Sequence, residues 1–302
     1  MCEIIVRAGC FVTIIIMGCV LRKTGYFKEE DFGILAKIVL KITLPAAIIS
    51  SFSGKEIDRS LLSIVLFGLG GGFIYMICGY MVNRKNGKEQ QAFGLLNVSG
   101  YNIGNFTLPF VQSFLGPMGV IVTSLFDTGN ACVCLGGAYS VASMVKDNCG
   151  FSFKKIGKTL IKSVPFDCYI IMITINLLHI PMPTPVVTLA EIIGNANAFA
   201  AMLMVGIGFK LNGNKSQIKD IVKILVIRYG LAAIFASIFY FLLPFSLDVR
   251  KTLVILSLSP IASAVPAFTK ELEGDVGLSS AINSISIIIS IVLIVSMLLI
   301  MV

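Results

Sequence analysis

The chain has 302 residues, 56% of them hydrophobic and only 13% charged, with a formal net charge of +8 and a mean hydropathy of +0.93. A soluble domain carries about 25% charged residues to cover its surface, so this composition argues against a water-soluble globule. The surplus cations sit in short loops between apolar runs with no aromatics interleaved, which points to membrane lipid as partner and to no nucleic acid.

The first apolar run covers about residues 3–21. Ile16-Met17-Gly18-Cys19 inside it loosely matches a lipoprotein cleavage site, but the leader would carry Glu3 and a single basic residue, Arg7. The chain beyond Cys19 is equally apolar, so the run is expected to stay in place as the first helix. Further runs lie at about 33–52, 60–82, 92–113, 117–145, 160–180, 186–209, 221–243, 250–268 and 276–300. Each approaches the roughly 20 residues a helix needs to cross a bilayer. In lipid every backbone donor and acceptor needs an internal partner, so runs of this length are helices. The ten-residue alternating segments of a membrane barrel are absent from the sequence. The fold class is therefore all-α integral membrane, with ten transmembrane helices.

Cations in alternate loops fix the orientation. Arg22, Lys23 and Lys28; Arg84, Lys85 and Lys88; Lys146, Lys154, Lys155, Lys158 and Lys162; Lys210, Lys215, Lys219 and Lys223; and Lys270 fall on one side, 16 in all. The opposite side holds 4, namely Lys55, Arg59, Arg250 and Lys251. Cationic loops stay in the cytoplasm, so both termini of this multi-pass chain are expected outside the cell membrane. A basic linker at 146–159 separates a first unit, 1–145, from a second, 160–302. Five helices is an odd number, so two such units lie in opposite orientations, the inverted-repeat plan of secondary transporters.

The fourth and ninth runs carry breakers at corresponding places. The fourth reads Asn97-Val98-Ser99-Gly100-Tyr101-Asn102-Ile103-Gly104-Asn105 and continues to Pro109; the ninth reads Ser257-Leu258-Ser259-Pro260-Ile261-Ala262-Ser263 and continues to Pro266. Proline removes a donor and glycine permits unwinding, and hydrocarbon tolerates the freed groups only where protein or a watery cavity satisfies them. Paired broken helices mark a transporter binding site, here Asn102, Asn105, Pro109, Ser259, Pro260 and Ser263. Free N–H groups at half-helix N-termini suit a carboxylate, so the expected solute is a small organic anion.

These stretches carry a resemblance. Thr43-Leu44-Pro45-Ala46-Ala47, Tyr101-Asn102-Ile103-Gly104-Asn105 with Leu108-Pro109-Phe110, Phe114-Leu115-Gly116, Met202-Leu203-Met204-Val205-Gly206 and Ser259-Pro260-Ile261-Ala262-Ser263 stand in this order along the chain. Together they resemble the auxin efflux carrier family in its short bacterial form, over essentially the whole length. The long cytoplasmic loop of the plant members is absent. The resemblance implies two inverted five-helix repeats in which broken helices 4 and 9 cross. It implies a mobile transport domain of helices 3–5 and 8–10 against a scaffold of helices 1, 2, 6 and 7, with a homodimer as the usual assembly. It also implies elevator-type alternating access and a carboxylate such as malate, malonate or an auxin-like acid as substrate.

Charges at membrane depth are costly and mark sites. Lys37 lies near the cytoplasmic end and is expected to snorkel. Lys41 lies one turn deeper and is a candidate anion-binding or ion-paired group. Asp127, in Asp127-Thr128-Gly129-Asn130, falls near the midplane. With Asn130 it is a candidate site for a coupling H⁺ or Na⁺; a static pair with Lys41 or Arg228 is the competing reading. Arg228 is expected to snorkel, and Asp167, Glu191 and His179 to be interfacial. The eight cysteines form no CxxC pair and the single histidine is His179, so no metal site and no other cofactor is expected. An enzyme is not expected, because HExxH, GxSxG and paired aspartate motifs are missing from the sequence. An intramembrane enzyme or a ligand-sensing membrane protein remains the alternative class.

Overall fold

The computed structural model describes residues 2–28, 30–147, 153–210 and 217–301. Among them every regular element is helical. In chain order these are α1 (Cys2–Lys23), α2 (Asp31–Ile38), α3 (Leu44–Phe52), α4 (Ile64–Val82), α5 (Lys88–Val98), α6 (Leu108–Phe114), α7 (Gly116–Cys132) and α8 (Ala138–Asp147). Next come α9 (Phe153–Leu160), α10 (Val164–Leu177), α11 (Thr184–Gly194), α12 (Asn197–Gly208), α13 (Ile218–Phe241), α14 (Leu247–Ser257), α15 (Val265–Glu271) and α16 (Val276–Met301). Single π turns at Val39–Thr43, Ile103–Thr107 and Val133–Gly137 join α2 to α3, lead into α6 and join α7 to α8.

Among the described residues, seven helical stretches are long and apolar enough to cross a membrane: Glu3–Lys23, Asp31–Phe52, Arg59–Val82, Gly116–Asp147, Thr184–Gly208, Ile218–Phe241 and Val276–Met301. Of the remaining expected runs, the sixth is the shorter α10, and the fourth and ninth are interrupted between α5 and α6 and between α14 and α15. Two runs read as uniform helices are not uniform. The fifth bends at Leu135 and Gly136, whose dihedrals leave the helical region, with Gly136 at φ 144°. The seventh divides between α11 and α12 at Asn195 and Ala196. The 146–159 linker is helical over Phe153–Leu160, and its residues 148–152 lie outside the described set.

Lipid tails are as apolar as leucine, so helices here associate through close packing of small residues and internal hydrogen bonds. α1 lies against α12, and α11 and α10 lie against α3. Elsewhere α4 packs on both α5 and α7, and α13 packs on α14. Residue size sets the α4–α7 approach. A Cβ on Gly68 would come within 2.9 Å of the Phe126 carbonyl carbon and 3.1 Å of the Asn130 amide nitrogen, whereas one on Gly70 would meet nothing within 4 Å.

That contrast gives a paired test on one helix. Gly68→Ala should destabilise the fold by about 1–3 kcal/mol, the usual penalty of overpacking. Gly70→Ala should be neutral or stabilising by up to about 1 kcal/mol, since alanine is the better helix former. The chain contains no tryptophan, so melting followed by a thiol-reactive dye on the buried Cys168 and the half-buried cysteines is a suitable readout. Equal shifts for both variants would contradict the packing described.

Candidate functional site

The two interruptions meet. α5 stops at Val98; Ser99 is extended, and Gly100 takes φ +74°. A side chain at residue 100 would be strained by that dihedral and would crowd Cys134 Sγ at 2.7 Å. α14 stops at Ser257 and the chain stays non-helical until Val265 opens α15, with Pro266 second in it. The Asn102 amide donates to the Pro260 carbonyl at 2.9 Å, joining the two breaks directly. Thr107 donates to Ser259 Oγ at 2.7 Å, and Asn105 Nδ2 to Ser263 Oγ at 3.1 Å.

The other freed backbone groups find side chains on neighbouring helices. Asn130 of α7 serves the Tyr101 peptide from both ends: its Oδ1 accepts from the Tyr101 amide at 3.0 Å, and its Nδ2 donates to the Tyr101 carbonyl at 2.9 Å. α16 serves the second break in the same manner. Ser286 Oγ accepts from the Ile261 amide at 3.2 Å, and Asn283 Nδ2 donates to the carbonyls of Ile261 and Ala262 at 3.0 and 3.2 Å. Ser290 donates to the Leu258 carbonyl at 2.7 Å.

Arg228 lies at the centre, and the snorkelling expected of it is wrong. It is 0% exposed and its guanidinium donates to the carbonyls of Val98, Ser259 and Pro260 at 3.1, 2.9 and 3.4 Å. The rings of Tyr75 and Tyr101 stack against it, with centroids 4.2 and 4.5 Å away. Sequence position alone put Arg228 near the cytoplasmic end of its run; its face turns it inward.

Asp127 forms no ion pair with Lys41 or Arg228. Its Oδ1 accepts from Asn130 Nδ2 at 2.8 Å and its Oδ2 from the Tyr169 hydroxyl of α10 at 2.9 Å. Lys41 is exposed on its helix and lines neither cavity of the crossing. The structure therefore does not bring Lys41 to the site, because Leu40 and Leu44 take the inward face instead.

Asn102, Asn105 and Ser263 line two cavities at once. One, of about 270 Å³, has Phe32, Met204, Ile207 and Lys210 opposite the breaks and Asn283 and Ser284 beside them. The other, of about 200 Å³, sets Leu40, Leu44, Phe166 and Tyr169 opposite Gly104, Asp127 and Asn130. Asn105 Oδ1 is a buried acceptor with no partner among the described residues. Pro109, Ser259 and Pro260 are buried behind this surface, where they shape the crossing without facing either cavity. The half-helices α6 and α15 are seven residues each, so the fixed cation of the region is Arg228 and not a long helix dipole. Sequence reading missed Asn283, Ser286, Tyr169 and the role of Arg228. The polar cluster Asn283-Ser284-Ile285-Ser286 in an otherwise apolar run was the available signal.

Residues 10–145 match a protein family described as membrane transport protein. The chain is also similar to an uncharacterized transporter of Methanothermobacter thermautotrophicus, 22% identical over 289 residues that cover 93% of each chain.

Asn130→Ala would leave the buried amide of Tyr101 without its acceptor and its carbonyl with only the Cys134 thiol at 3.7 Å. A loss of about 1–3 kcal/mol for each unmet group is expected. Thermal melting in detergent should show Asn130→Ala among the most damaging single changes in α7. A melting point equal to the parent's would mean the Tyr101 peptide finds other partners.

Proposed function

We propose that this chain, a membrane transporter of the auxin efflux carrier family, moves a small organic anion across the cell membrane by elevator-type alternating access. The observation that carries the reading is the direct bond between the two breaks, Asn102 to Pro260, with Asn102, Asn105 and Ser263 facing both adjoining cavities. In this reading the ten runs form two inverted five-helix repeats, 1–145 and 160–302. The support is the matched service of the breaks, by Asn130 on α7 in the first half and by Asn283 and Ser286 on α16 in the second.

The scaffold is helices 1, 2, 6 and 7 of the ten, here α1, α2–α3, α10 and α11–α12. The remaining helices form the moving body. Both cavities lie between these groups and reach Phe32, Ser163 and Lys210, beside the cation-rich loops. On the orientation proposed from the cation count, with both termini extracytoplasmic, these cavities open toward the cytoplasm. A carboxylate such as malate or malonate, or an auxin-like acid, would be held by the side-chain amides of Asn102 and Asn105 and the hydroxyl of Ser263. Arg228 offsets the carbonyls that converge on the crossing, so an anion there does not meet uncompensated negative charge.

Asp127 would repel the same anion and is assigned to the coupling H⁺ or Na⁺. Its two oxygens accept from Asn130, which holds the break, and from Tyr169, across the second cavity. Taking up a proton turns an acceptor into a donor and changes both contacts.

The test is uptake and counterflow in proteoliposomes with labelled malate, malonate and indole acids. Counterflow separates transport from catalysis or sensing. Asn102→Ala should weaken binding of the transported acid by about 1–3 kcal/mol, or roughly 5- to 150-fold. Asp127→Asn should leave binding near the parent value and abolish any dependence of uptake on pH or sodium. Lost binding with intact coupling in Asp127→Asn would reverse the assignment. Transport of a cation or neutral solute alone would defeat the anion reading.

A further inference from the structure

The charge arithmetic at the crossing is unusual. α5 ends there at Val98, and its carbonyl converges on a single point with those of Ser259 and Pro260, which lie in the unwound stretch after α14. The C-terminus of α5 carries about half a negative charge, and the two carbonyl dipoles of the unwound stretch add to it. A cation is the natural neutraliser of such a carbonyl cluster, and a bound metal ion is the usual way to supply one. Here the position is filled by the Arg228 guanidinium, fully buried and reaching all three carbonyls. Among the described residues no carboxylate shares the work: Asp127, the acid beside the crossing, is bonded to Asn130 and Tyr169. The faces of Tyr75 and Tyr101 close over the guanidinium, and the Tyr75 hydroxyl donates to the Arg228 carbonyl at 3.2 Å.

We infer that Arg228 is the resident cation of this crossing, standing where the carbonyls of the two breaks would otherwise recruit an alkali ion, so that the crossing is assembled without one. Arg228 is a positioning residue: it fixes Val98 against Ser259 and Pro260, and thereby the register in which Asn102 meets Pro260. The planar fork matters as well as the charge, because three acceptors from two chain segments are spanned by one rigid group. A lysine ammonium would supply the charge and lose the span.

The test reads stability and needs no substrate, so it can fail independently of the transport reading. Purified protein is melted in choline chloride, and sodium chloride or methylguanidinium chloride is then added at equal ionic strength. The parent should melt at one temperature in choline and methylguanidinium, and any shift it shows in sodium should vanish in Asp127→Asn. Arg228→Ala should melt several degrees lower in choline and regain at least half of that loss in millimolar methylguanidinium, with a smaller gain in sodium. Arg228→Lys, the variant more certain to fold, should melt between the two and ignore sodium, its own ammonium holding the place. An Arg228→Ala protein that no cation stabilises would overturn the inference by showing a purely steric role. So would a lysine variant stabilised by sodium. A sodium-dependent melting point shared by the parent and Asp127→Asn would also overturn it, by placing an alkali ion beside the arginine.

Discussion

The cost of leaving a backbone amide or carbonyl unpaired in a medium without water governs the whole of this molecule. Ordinary spans meet that cost internally. The two interrupted helices cannot, and each frees donors and acceptors at the depth where solvent is absent. The solution is local and reciprocal. One amide of the first break is accepted by a carbonyl of the second, Asn102 by Pro260. The Tyr101 peptide is taken at both ends by one asparagine side chain, and the Ile261 peptide by Asn283 and Ser286. Neither break can exist in this form without the other, because each supplies part of the other's partners.

The same constraint explains why the surroundings are packed as they are. Asn130 can serve Tyr101 only if α7 lies close to the break, and α7 is drawn in by its contact with α4 at Gly68. Arg228 reaches three carbonyls only because Tyr75 of α4 and Tyr101 of the break wall it in. On the far side of the cavities, α1 and α12 pack at Gly18 and Gly206, each facing the other's backbone. The packing is close within each group, and the cavities lie between the groups.

The breaks were legible because proline, glycine and asparagine act within a residue or two of where they stand. Pro260, Gly100 and Asn102 announce unwinding without any knowledge of neighbours. The rotational face of a helix is a different kind of information. Lys41 and Leu40 are adjacent, yet only the leucine faces the site, and a uniformly apolar run gives no moment by which to choose between them. Arg228 failed for the same reason: its depth from the nearest cationic loop suggested escape to the interface, whereas its direction is toward Val98 and Ser259. The bend at Gly136 was hidden because a glycine inside a long apolar run also fits plain close packing.

The contact between Asp127 and Tyr169 bridges the two groups of helices that the proposed function moves against each other. Asp127 sits on α7 with the first break, whereas Tyr169 sits on α10, which packs on α3 across the cavity. Any displacement of the crossing relative to α10 has to part this pair, and an ionised carboxylate stripped of its hydroxyl donor in an apolar setting is heavily penalised. A protonated carboxyl, or one facing a cation, is penalised far less. Release of the Tyr169 contact and neutralisation of Asp127 are therefore favoured together. In the proposed cycle this would tie movement of the site to occupancy of Asp127 without requiring the coupled ion to touch the solute.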